Sequence, residues 1–213
     1  MPRCQLDHIT VTAPTLAQGA AFVRHALGVE LQAGGEHPRM GTHNLLLRLG
    51  DSLFLEVIAV NHDAPAPTRP RWFALDTLPP HAAPRLSNWV ARTDDIRLAT
   101  AASPEALGLV ETITRGALQW LITIPADGAL PMGGAVPALI EWQTPAHPAA
   151  QMQERGCSLA MLEVFHPDFE RVRTLLRSLG LDRTVRVVPA RVDEPARLVA
   201  HIDTPAGLRS IGV

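Results

Sequence analysis

The chain has 213 residues, 46% of them hydrophobic and 19% charged, with a formal net charge of -2 and no tyrosine. That is enough chain for a sizeable core, as one large domain or two small ones, and too apolar for a disordered protein. Near-neutral charge and few aromatic residues leave no footprint for nucleic acid, and no reason to expect an anionic membrane as partner.

The N-terminus MPRCQLDHIT lacks the apolar stretch of a signal peptide. No apolar run approaches the roughly 18 residues of a membrane span. Cys4 and Cys157 are the only cysteines, too few for a disulfide framework. Together these give the expectation of a cytoplasmic protein with free thiols and no membrane partner.

The first strand, QLDHITVT from residue 5, alternates as a half-buried strand should. Leu6, His8 and Thr10 face one way, and Asp7, Ile9 and Val11 the other. A helical pattern follows, with Pro14 near its start and Gly28 just past its end. Three strands are then expected: VELQAGGE, THNLLLRLG and SLFLEVIAV, the last two joined by a turn at Gly50-Asp51-Ser52. The order is βαβββ.

The 19 prolines crowd residues 63–84 and 125–148, and these stretches read as loops that divide the chain into three blocks. The second block, about 86–144, repeats the order: strand LSNWVART, helix DDIRLATAA with Thr93 or Asp94 as its cap, a hairpin around Gly116-Ala117, and strand PALIEWQT. The third, 157–213, repeats it again, with Phe169, Val172, Leu175, Leu176 and Leu179 on one stripe of its helix. The expected fold is therefore α+β, built from repeated βαβββ units that form curved mixed sheets around a cleft. Units 5–61 and 86–144 pair within a domain spanning 1–144. The third unit packs on them or pairs with another subunit, because an open sheet edge needs a partner. A homodimer follows as an expectation.

His8 and Glu56 are the two ionisable groups that interrupt otherwise apolar strands. Such a group costs several kcal/mol unless it is paired, solvated or bound to a metal. A lone strand histidine is more commonly a hydrogen-bonded core residue, and His8 with Glu56 also fits a buried pair or the wall of a metal-free binding cavity.

LDHITV, HPRMGTHNLLLRLGDSLFLEVIAV, RPRWFALD and NWVARTDDI together resemble the glyoxalase-like domain proteins of the vicinal oxygen chelate superfamily, over about residues 5–143. The resemblance implies a cleft between two βαβββ units, with metal ligands on the first and fourth strands of each. Those slots fall on His8 and Glu56 in the first unit. Aligning the letters of the second unit gives Asn88 and Glu141. One imidazole, two carboxylates and an amide suit a divalent ion such as Mn, Ni, Fe, Zn or Mg without choosing among them.

The activity so implied is a metal-dependent lyase or isomerase acting on a small oxygen-rich metabolite, with Glu56 or Glu141 moving the proton. His37, His43, Asn44, Arg92 and Trp142 are its candidate ligand contacts. His37 and Asn44 serve equally well to shape a turn, and Trp142 to build core. A non-catalytic protein that sequesters a small molecule is the alternative. An extradiol-type dioxygenase is disfavoured, because Asn88 stands where that chemistry needs a second histidine.

Overall fold

The computed structural model describes residues 2–212. Strand β1 (Gln5–Thr12) runs into helix α1 (Leu16–Leu27), whose first turn is closed by Thr15 and whose last ends at Gly28 in the left-handed region. Strands β2 (Gln32–His37), β3 (Thr42–Gly50) and β4 (Leu53–Val60) complete the first unit. The second comprises β5 (Arg85–Arg92), α2 (Ile96–Ala102), β6 (Leu109–Arg115), β7 (Leu118–Ile124) and β8 (Ala138–Trp142). Helix α2 is capped by Asp95, whose side chain accepts from the Leu98 N–H at 2.9 Å, and not by the expected Thr93 or Asp94.

Both units share one eight-stranded sheet in the order β2-β3-β4-β1-β5-β8-β7-β6. In each unit the first strand lies parallel to the fourth, β1 beside β4 and β5 beside β8, and the units join through the antiparallel pair β1–β5. The sheet curls until its two outermost strands meet. Arg39, just past β2, donates to the Thr112 carbonyl of β6 at 2.6 Å, and Arg115 at the end of β6 reaches His37 at the end of β2.

Alternation sorts the side chains onto the two faces of this sheet. Ile9, Val11, Leu47, Leu55, Val57, Trp89 and Leu139 face outward into the larger core, under α1 and α2. Met40, Ile58, Trp72, Val90, Ile113, Trp120, Ile122 and Ile140 form a second cluster inside the curl.

The third region contains β9 (Ser158–His166), α3 (Phe169–Ser178), β10 (Val185–Pro189), β11 (Arg197–Thr204) and β12 (Gly207–Ile211). Its sheet runs β10-β9-β11-β12. The first strand here is parallel to the second, through the α3 crossover, and not to the fourth. The element order is that of the other units, but the pairing differs. Leu162, Val164, Leu175, Leu176 and Ile202 join the outer core of the large sheet. Among the described residues, no helix is long and apolar enough to cross a membrane.

Candidate functional site

The curl encloses a chamber lined by His8, His37, Asn44, Phe54, Glu56, Trp72, Arg115, Trp120 and Trp142, among others. Its free volume is about 30 Å³.

Strand β1 departs from strict alternation at one point. Its register against β5 slips between Leu6 and His8, a bulge that turns Asp7 to the side of His8 instead of the outer core expected for it. The Asp7 carboxylate is fully buried and accepts three N–H groups: His8 Nδ1 at 2.6 Å, Trp142 Nε1 at 2.9 Å and His147 Nε2 at 3.0 Å. Burial by itself would raise its pKa. The bonds from His147 and His8 outweigh that and hold Asp7 ionised far below the usual carboxylate range. An ionised Asp7 holds a proton on His8 Nδ1 and so turns Nε2 toward Glu56. Phe54 stacks on the imidazole with centroids 4.5 Å apart, so the ring cannot swing.

Nε2 looks across 3.8 Å at Glu56 Oε2. The other Glu56 oxygen accepts from Asn44 Nδ2 at 2.6 Å, and Asn44 Oδ1 accepts from the Gly35 N–H at 2.8 Å. That last bond depends on the Gly34-Gly35 pair, where the β2–β3 register skips between Ala33 and Glu36. A Cβ on Gly34 would fall 2.0 Å from Asn44 Oδ1, so only glycine lets the backbone approach this closely. The order of support is therefore Gly34-Gly35, Asn44, Glu56.

His37 forms the far wall. Arg115 Nη1 lies 3.1 Å from its Nε2, and Thr42 Oγ1 lies 3.1 Å from its Nδ1. Arginine has no acceptor, so Nε2 accepts and Nδ1–H donates to Thr42. Burial, then the charge of Arg115, lowers the His37 pKa to about 3, and the ring is neutral.

Of the expected residues, His8, Glu56, His37, Asn44 and Trp142 come together here. The others do not. Glu141 has the outward parity: its carboxylate accepts from the Ile96 N–H at the start of α2 at 2.8 Å and from Gln143. The strand pairing explains the misplacement. Thr10 is opposite Glu56 in the first unit, and its counterpart Val90 is opposite Ala138 in the second. The structural equivalent of Glu56 is thus Ala138, three residues before Glu141.

Asn88 does occupy the first-strand slot of the second unit, but it lines a neighbouring small hollow with Phe73 and Thr123, and its Nδ2 has no partner among the described residues. Arg92 binds the Leu6 carbonyl at 3.2 Å and the Ser52 carbonyl at 2.6 Å, tying β1 to the start of β4. His43 shares the outward parity of Leu47 and is absent from the chamber wall. Asp7, Arg115 and His147 were not expected.

The donor set does not suit a divalent metal. One imidazole nitrogen and one carboxylate face the chamber, where catalytic sites of this kind supply three protein ligands. The second unit offers an amide and a methyl group. Among the described residues no cluster of three His, Cys, Asp or Glu side chains is assembled. Arg115 moreover already places a cation in the same wall.

The sequence pattern of the glyoxalase-like domain family matches residues 6–180. No curated protein matches the sequence. Among solved structures, a hypothetical protein from Staphylococcus aureus is similar over 92% of this chain and 80% of its own, at 16% identity and a TM-score of 0.58. A mutant of 4-hydroxymandelate synthase from Streptomyces coelicolor is similar over 97% of this chain and 61% of its own, at 18% identity and a TM-score of 0.50. Methylmalonyl-CoA epimerase from Mycobacterium tuberculosis is similar over 64% of this chain and 85% of its own, at 16% identity and a TM-score of 0.40. At these identities the first two likenesses are ones of fold alone.

Proposed function

The chain belongs to the glyoxalase-like domain family, within the vicinal oxygen chelate superfamily, and from that premise we propose a lyase- or isomerase-type catalyst of proton transfer on a small oxygen-rich metabolite. The observation that carries this reading is the Asp7–His8 pair, which aims Nε2 into the chamber opposite Glu56. In the reaction, a C–H bond next to a carbonyl breaks and its proton passes to His8 Nε2. The electron pair moves onto the carbonyl oxygen as an enolate. The imidazolium so formed is stabilised by ionised Asp7 and by Glu56. His8 then returns a proton from Nε2 to the same carbon, which restores the neutral ring, while Glu56, held by Asn44, faces the ring charge across 3.8 Å. No step runs through a metal.

The test is exchange of solvent deuterium into a panel of small 2-oxo acids and hydroxyketones, followed by NMR. Exchange should fall by about 100-fold or more in His8→Gln and in Glu56→Gln. No exchange across the panel, or exchange at the wild-type rate in both variants, refutes the reading. A second reading, sequestration of an aromatic compound, is supported by the chamber wall of Phe54, Trp72, Phe73, Trp120 and Trp142. Tight binding of such a compound without exchange would favour it. We also propose a homodimer through the open edge of β10; a monomer by light scattering would overturn that.

A further inference from the structure

Arg115 has no role in the proton transfer above, yet the fold is shaped around it. Its methylenes cross β2 where Gly35 stands, and a Cβ there would lie 3.0 Å from Arg115 Cδ. Its guanidinium sits 5.8 Å from the centre of the Trp120 ring. Arg39, Arg48, Arg69, Arg71 and Arg171 each have a carboxylate within 4.0 Å. Arg115, among the described residues, has none; its bonded partner is the neutral His37 ring. Burial disfavours its charge and Glu56 supports it only through space. A cation lining a chamber without a bonded counter-ion is a group awaiting one.

We infer that Arg115 is the anchor for a carboxylate on the molecule this chamber takes, so that the substrate class is short monocarboxylic acids. One N–H of the guanidinium is committed to His37, which leaves others free to grip a carboxylate with two parallel bonds. His37 is the positioning residue. Being neutral, it orients the fork without neutralising its charge. A carboxylate held there puts the carbons next to it between the walls formed by Trp120, Trp142 and Phe54, facing His8 and Glu56. The inference rests on the proton-transfer reading for the identity of the site, but it makes a separate claim about binding.

The test is tryptophan-fluorescence titration of the full chain with acetate, glycolate, pyruvate, 2-oxobutanoate and crotonate, each beside its amide. At least one acid should bind about tenfold or more tightly than its amide, and Arg115→Gln should erase that difference. Arg115→Lys keeps the charge without the fork and should retain part of it, which covers the case in which the glutamine variant misfolds. His37→Asn should weaken acid binding more than amide binding. If no acid is preferred over its amide, or the preference survives in Arg115→Gln, the inference is overturned. Arg115-dependent acid binding without deuterium exchange sinks the proton-transfer reading and keeps this one. Exchange that is indifferent to Arg115→Gln does the reverse.

Discussion

Replacing Asp7 with asparagine tests the centre of the site, because it keeps the shape and removes the charge. The carboxylate accepts three N–H groups at 2.6, 2.9 and 3.0 Å. An amide has one oxygen to accept with, and its NH₂ must face at least one of these donors. Hydrogen bonds to a charged acceptor contribute about 1.5–3 kcal/mol each, and relief from burying a charge offsets part of their loss. The expected net loss is about 2–4 kcal/mol at pH 7, a fall in Tm of about 5–15 °C for a chain of this size.

The same variant has a pH signature. The pKa of Asp7 is lower folded than unfolded, so its contribution is complete above the unfolded value of about 3.9 and is lost as pH falls below it. At pH 3 the gap between variant and wild type should shrink by about 1 kcal/mol. Urea titrations at pH 7 and pH 3 measure both quantities. A loss below about 1 kcal/mol at pH 7, or a gap that does not change with pH, would refute the assignment of a charged, hydrogen-bonded Asp7.

Three further outcomes are expected. Gly34→Ala drives a methyl into Asn44 and should cost about 1–3 kcal/mol while lowering deuterium exchange, because Glu56 loses its donor. Glu141→Gln should cost no more than about 1 kcal/mol and leave exchange unchanged, since Glu141 binds the start of α2 and not the chamber; loss of exchange would return it to the site. His37, with a folded pKa of about 3, takes up no proton between pH 6.5 and 3 while the unfolded chain does. Stability should therefore fall as pH drops through that window, and His37→Asn should flatten the fall; an unchanged acid limb in urea titrations would show that His37 titrates normally.

The βαβββ order was legible from the helical and strand periodicities and the turn residues between them, and the separation of His8 from the core-facing Ile9 and Val11 from alternation along β1; Glu56 was set beside His8 by the family resemblance. Glu141 was misplaced because letters were aligned where strand register governs: β8 is read correctly only from its pairing with β5, which puts Ala138 in the slot. Asp7 was hidden by a bulge, which breaks the alternation that the reading relied on. Arg115 was out of reach for another reason. It enters the site only because β2 and β6, at opposite ends of the sheet, meet when the sheet curls, and no local pattern encodes that contact.

The tightness of the chamber has a kinetic consequence. With a free volume of about 30 Å³, well below the few hundred Å³ of a ligand pocket, the chamber takes a metabolite only after the wall yields. Trp72 and Phe73 belong to that wall, and Phe73 and Ala74 are held in the left-handed region that non-glycine residues adopt at a cost. Association should then be limited by the rate of opening and not by encounter. In stopped flow, the observed rate should climb with ligand concentration and reach a plateau set by the protein alone.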